Sequence, residues 1–162
     1  MLAVLLASAL GLGTGLLGAE SSHAQEDAEA WEELRSIETL LRTDVEAAVP
    51  RARELRMRTE GIGDQLLRAR VFQVECSAQY RAGDNALAAI ACENANAIAD
   101  QLDDPALSAK VLNTRAAVAY SAGRTTDAFT DYEEASEYAV MSGDLEMISP
   151  IQSNLAVIVR NT

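Results

Sequence analysis

Residues 69–82 read ARVFQVECSAQYRA, and residues 109–122, forty positions later, read AKVLNTRAAVAYSA. Laid over each other, Ala69, Val71, Tyr80, Ala82 and Gly83 fall on Ala109, Val111, Tyr120, Ala122 and Gly123. The punctuation keeps the same step: Gly63-Asp64, Asp103-Asp104 and Gly143-Asp144 are each forty residues apart. A fixed period of this size marks stacked supersecondary units, each too small to bury its own apolar face alone.

Each unit is read as two helices. Ala109 to Ala122 places Val111, Leu112, Ala116, Val118 and Ala119 at the disposal of one helical face. Gly123 ends that helix, and Arg124-Thr125-Thr126-Asp127 supplies side-chain caps for a second. Ala128, Phe129, Tyr132, Ala135, Tyr138 and Ala139 then recur at the spacing of one buried stripe, until Ser142-Gly143-Asp144 breaks the chain. The preceding unit runs from Ala69 to Ala82, turns at Gly83-Asp84, continues to about Gln101 and stops at Asp103-Asp104-Pro105. Composition agrees: 49% hydrophobic residues with only 4% aromatic means an alanine-rich chain, suited to closely approaching helices. The expected fold is all-α, built of antiparallel helix hairpins.

The spacing inside each unit resembles the tetratricopeptide repeat family. That family has small residues where its two helices touch and a glycine at the turn, followed by an alanine, a bulky residue and a second alanine at fixed offsets. From Gly123 those offsets land on Ala128, Tyr132 and Ala135, and from Gly83 on Ala88, Cys92 and Ala95, so only the bulky position departs. The small position before the glycine is Ala116 in one unit and Cys76 in the other. The period of 40 looks like the longer variety of the family, whose usual repeat is about 34 residues. The resemblance implies an α-solenoid that holds a protein or peptide along a concave face formed mainly by the first helix of each unit.

Away from these two units the register weakens. Upstream, Trp31 to Leu41 reads as a first helix, Thr43-Asp44 as its turn, and Pro50 as a kink or the true start of the second helix. Downstream, Ser149-Pro150 suits the cap and first position of a last helix carrying Leu155-Ala156-Val157-Ile158-Val159. That apolar run is no polar cap, which favours a chain continuing beyond residue 162 or a helix covered in trans. Residues 2–18 carry no charge and lead to Ser22 and Ala24, the small residues of a cleavage site. The expected division is therefore a signal peptide at 1–24, a degenerate repeat at 25–68, repeats at 69–108 and 109–148, and the first helix of an incomplete repeat at 149–162. No basic residue precedes the apolar stretch, so an uncleaved anchor and an ordinary buried helix remain open beside secretion. The expected location is the periplasm, or a membrane anchorage facing it.

Catalytic chemistry finds little to work with. His23, the single histidine, lies in the expected leader, which leaves the mature chain without a histidine base or ligand. No glycine-rich phosphate loop, Cys-x-x-Cys pair or nucleophile elbow occurs. Glu133-Glu134 and Asp103-Asp104 read as charge on solvated helix faces, and Asp84 and Asp144 as helix N-caps or turn residues. A non-catalytic protein with no cofactor and no metal is expected. Cys76 and Cys92 stand on the facing helices of one hairpin, where an oxidising compartment permits a disulfide. Cys92 can also sit one turn too far along, with both thiols buried as small core residues.

Charge narrows the partners. With 25 acidic against 13 basic residues the net charge is −12, which argues against nucleic acid and anionic membranes. Nine arginines face seven acids between Arg35 and Arg81, whereas twelve acids face three basic residues between Asp84 and Glu146. The plain reading is a solvated surface; the sharper one is an acidic half that meets a basic ligand. Candidate ligand-binding positions on the concave face are Gln73, Gln79, Asn113, Arg115 and Asn154, while Tyr80 and Tyr120 are read as packing residues before stacking ones. The expected function is an exported protein–protein interaction module of unspecified oligomeric state. The alternative is the periplasmic sensory portion of a membrane-bound signalling protein such as a diguanylate cyclase, a layout in which the membrane is reached only through a longer chain or an uncleaved leader.

Overall fold

The computed structural model describes the backbone of residues 14–161 and the side chains of residues 24–161. These residues form seven helices and no strand: α1 (Thr14–Thr43), α2 (Val45–Thr59), α3 (Gln65–Arg81), α4 (Asn85–Leu102), α5 (Pro105–Ser121), α6 (Thr125–Ser142) and α7 (Leu145–Asn161). Residues 1–13 of the expected leader lie outside the described residues, and its remainder from Thr14 belongs to α1.

Aspartates set the starts of four helices. The Oδ1 atoms of Asp44, Asp64, Asp84 and Asp104 accept the backbone N–H of Ala47, Leu67, Leu87 and Leu107 at 3.0–3.1 Å, satisfying one orphan donor at each helix start. At the other ends, Gly83, Gly123 and Gly143 take positive φ, and the N–H groups of Asp84, Arg124 and Asp144 reach back to the carbonyls of Gln79, Ala119 and Ala139. This is the Schellman closure, which favours glycine because a side chain is strained in the left-handed region. Asp103 takes the same left-handed φ, 49°, at the end of α4 without being glycine.

These caps correct the expected boundaries. The limits drawn at 68/69, 108/109 and 148/149 fall inside α3, α5 and α7, because Asp64 and Asp104 start their helices four residues earlier than the apolar pattern suggested. Pro105 occupies the first turn of α5, where its missing N–H costs nothing, so Asp103-Asp104-Pro105 is a stop and a start together. Neither Pro50 nor Pro150 begins a helix: α2 starts at Val45 and α7 at Leu145, and each carries its proline inside. Both prolines are exposed, so the carbonyl freed by the missing hydrogen bond lies at the water-facing side.

Each helix packs on the next in sequence, and α1, α3, α5 and α7 also touch in succession, whereas α2, α4 and α6 make no mutual contact. Burial repeats with the sequence. Positions 81–100 and 121–140 follow the same order of buried, half-buried and exposed residues throughout. Ala88, Ala91, Cys92, Ala95 and Ala99 are thus matched by Ala128, Asp131, Tyr132, Ala135 and Ala139, all buried. In the N-terminal region Ala30, Leu34, Ile37 and Leu41 of α1 form one stripe against Ala48, Ala52 and Leu55 of α2 and Leu67, Val71 and Val74 of α3.

Candidate functional site

The successive contact of α1, α3, α5 and α7 leaves a groove along one side, in two pockets that share Ser77, Arg81, Asn113 and Thr114. The first, about 350 Å³, lies among α3, α5 and α7 and is walled by Tyr80, Tyr120 and Val157. The second, about 430 Å³, reaches α1 and is edged by Arg42, Arg70, Gln73 and Lys110.

A polar seam crosses the floor. Arg70 pairs with Glu38 of α1 and donates to Gln73 Oε1 at 3.1 Å. Gln73 Nε2 donates to Ser77 Oγ at 3.2 Å, Ser77 stands 3.5 Å from Thr114 Oγ1, and Thr114 donates to the carbonyl of Lys110 at 3.0 Å. Asn154 Nδ2 faces Asn113 Oδ1 at 3.5 Å, and Asn161 donates to the Tyr120 hydroxyl at 2.9 Å. Arg81 is fixed by donating to the Leu41 carbonyl at 2.6 Å. Ordered donors of this kind lose little freedom when a ligand arrives.

Of the sequence-selected positions, Gln73, Asn113 and Asn154 line the groove. Gln79 and Arg115 do not, which corrects their assignment to an exposed concave face. Gln79 is 3% exposed and its Nε2 has no hydrogen-bond partner among the described residues. Arg115 grips Asp131 of α6 with Nε and Nη2 at 2.8 and 2.6 Å. That hydrogen bonding raises the guanidinium pKa, against a smaller opposing effect of burial. The reason is angular. Arg70, Gln73, Ser77 and Arg81 keep one face of α3, as Lys110, Asn113, Thr114 and Ala117 do on α5. Arg115 is two residues past Asn113, roughly 200° around the helix.

Sequence reasoning passed over the residues that give the groove its charge: Arg42, Arg70, Arg81 and Lys110. The available signal was compositional, since Lys110 is the only lysine in a chain of net charge −12. Basic groups converge here, so the groove does not present the acidic face that suits a basic ligand.

Two further places shape the site without lining it. Cys76 and Cys92 are joined by a disulfide, with Cα atoms 5.2 Å apart, and both are buried beside Ala88, Ala91 and Val118. Each lies eight residues from Asp84, so the hairpin brings them level. On the opposite side of α3, burial pushes the Glu75 carboxyl up, while pairing with Arg56 at 3.0 Å pulls it back. No group of three or more His, Cys, Asp or Glu side chains converges as a metal site among the described residues. None of their helices is long and apolar enough to cross a membrane. No protein-family model, curated protein or solved structure matches the chain.

Proposed function

We propose that this protein is an exported, non-catalytic interaction module, a tetratricopeptide-like α-solenoid that receives a protein or peptide segment in the groove of α1, α3, α5 and α7. The observation that carries the reading is the continuity of that groove across successive helices, bridged by contacts one repeat apart: Leu41 and Arg81 at forty residues, Asn113 and Asn154 at forty-one. A repeated row of polar side chains on rigid helices suits an extended segment, because each helix offers a similar set of partners at a regular step. Export to the periplasm through residues 1–24, or anchorage facing it, completes the proposal.

A sensory role within a larger signalling protein is the second reading. It is favoured by the Lys110 end of the groove, whose volume of about 430 Å³ is that of a small-ligand pocket.

Site-specific photocrosslinking in the native host tests the first reading. A benzophenone side chain at Asn113 is expected to capture a discrete protein or peptide, while the same group at Glu133, exposed on α6, captures none. Equal labelling from both positions, or none from either, overturns it.

A further inference from the structure

We propose that the pocket where α1, α3 and α5 meet binds a small, multiply charged oxyanion, a dicarboxylate or a phosphorylated compound, with Lys110, Arg81 and Arg70 as its cationic donors. The proposal is independent of the interaction-module reading, since such an anion binds whether or not a protein occupies the rest of the groove.

Lys110 carries the argument. It is half-buried, and its ammonium makes no ion pair or side-chain hydrogen bond with any described residue. Its charge thus stands in a concavity among arginines, without a carboxylate of its own to offset their repulsion. Acids are abundant elsewhere in this chain, 25 of them, yet only Glu38 enters the pocket, against Arg42, Arg70, Arg81 and Lys110. A surface tuned only for solubility has no reason to gather like charges in a concavity, where low-dielectric walls amplify their repulsion. An anion removes that penalty.

The donors are arranged to receive one. Glu38 and Gln73 hold Arg70, and the Leu41 carbonyl holds Arg81, leaving further N–H groups on each guanidinium. Asn113 adds a neutral amide from the next turn of α5. Volume sets the class: about 430 Å³ accommodates a metabolite-sized molecule. Two or more negative charges are required to balance Lys110 and Arg81 together, since Arg70 is already paired with Glu38.

The test uses the purified full chain at constant ionic strength, with citrate, glycerol 3-phosphate and neutral glycerol as probes. Thermal denaturation is expected to shift upward with at least one anion and not with glycerol. Citrate alone identifies the carboxylate arm, glycerol 3-phosphate alone the phosphoryl arm, and a response to both supports the shared chemistry. Lys110→Met is expected to weaken the binding about tenfold or more, the loss typical of one charge-assisted contact. Because Lys110 is the only lysine, amine acetylation followed by mass spectrometry gives a second readout on the unmodified sequence. The effective anion is expected to slow acetylation at Lys110 and leave the α-amino group unprotected. No thermal shift with either anion, or an equal shift in Lys110→Met, overturns the proposal. So does acetylation at an unchanged rate.

Discussion

Cys92 and Tyr132 stand forty residues apart in the same place of successive helix pairs, both buried, one bonded to Cys76 and the other lodged in the cluster that contains Ala116. The residues opposite them, Cys76 and Ala116, are themselves forty apart. The pair α3–α4 thus carries a covalent bridge where the pair α5–α6 carries an aromatic ring buried in one cluster with a small residue. Two solutions to one packing problem separate the units chemically while keeping their backbone alike.

The bridge joins cysteines 16 positions apart, and cross-linking a loop of about that length is worth about 3 kcal/mol through the unfolded state. Cys76→Ala with Cys92→Ala is expected to lower stability by about 2–3 kcal/mol in chemical denaturation. Thiol titration of denatured protein is expected to find no free thiol before reduction and both after it. Two thiols without reductant, or a double variant as stable as the parent, would refute the structural role.

Arg115 and Asp131 join α5 to α6 on the side away from the groove. Arg115→Ala leaves the Asp131 side chain, only 10% exposed, without its partner, and the expected loss is roughly 3 kcal/mol. Adding Asp131→Ala is expected to recover part of that loss, because the stranded charge disappears with it; a double-mutant cycle reads the coupling directly. Groove binding is expected to survive in the double variant. If ligand binding fell while stability held, Arg115 would be a recognition residue after all.

The helices were legible because their signals are local: alanine-rich stripes, turn glycines and the forty-residue register each constrain only neighbouring residues. Their starts were less so. An aspartate recurs at 44, 64, 84 and 104, one per helix, and this twenty-residue ladder is the finer period that the forty-residue alignment concealed. Ser149-Pro150 looked like a helix start because proline is welcome in a first turn, yet a single exposed proline is also tolerated within a helix that packs well along the rest of its length. The groove was harder still. Gln73, Asn113 and Asn154 were reachable from periodicity, but an error of two residues carried Gln79 and Arg115 to the far side. The cationic cluster draws Arg70 and Arg81 from one helix and Lys110 from another, and no local pattern announces that meeting.

The ladder breaks at Arg124, where α6 starts with no side-chain cap. Its backbone, φ −86 and ψ 65, matches that of Asp84, φ −87 and ψ 76, which does cap α4. Arg124→Asp is therefore expected to gain about 1 kcal/mol by accepting the N–H of Asp127. The Arg124–Asp127 ion pair it removes is exposed on both sides and contributes little. A melting temperature raised by about 3 °C would agree; an unchanged or lower one would mean that the new carboxylate and Asp127 repel more than the cap contributes.

Tyr132 gives the fold a dependence on alkaline pH. The residue is 3% exposed, and burial, followed by the neighbouring Tyr80 and Tyr120, pushes its pKa up to about 12. In the unfolded chain a tyrosine ionises near pH 10. Below pH 10 both states keep the proton, so this group adds no pH dependence. Between pH 10 and 12 the unfolded chain releases the proton first and binds fewer protons than the native state, so stability falls as pH rises. The expected loss across that window is roughly 2–3 kcal/mol, levelling off once the native phenol also ionises. Tyr132→Phe is expected to remove this share of the slope while keeping the ring that fills the core beside Ala135 and Ala139. Urea denaturation of both proteins at pH 8, 10 and 12 measures the difference. Parallel slopes would place the Tyr132 hydroxyl in water and not in the core.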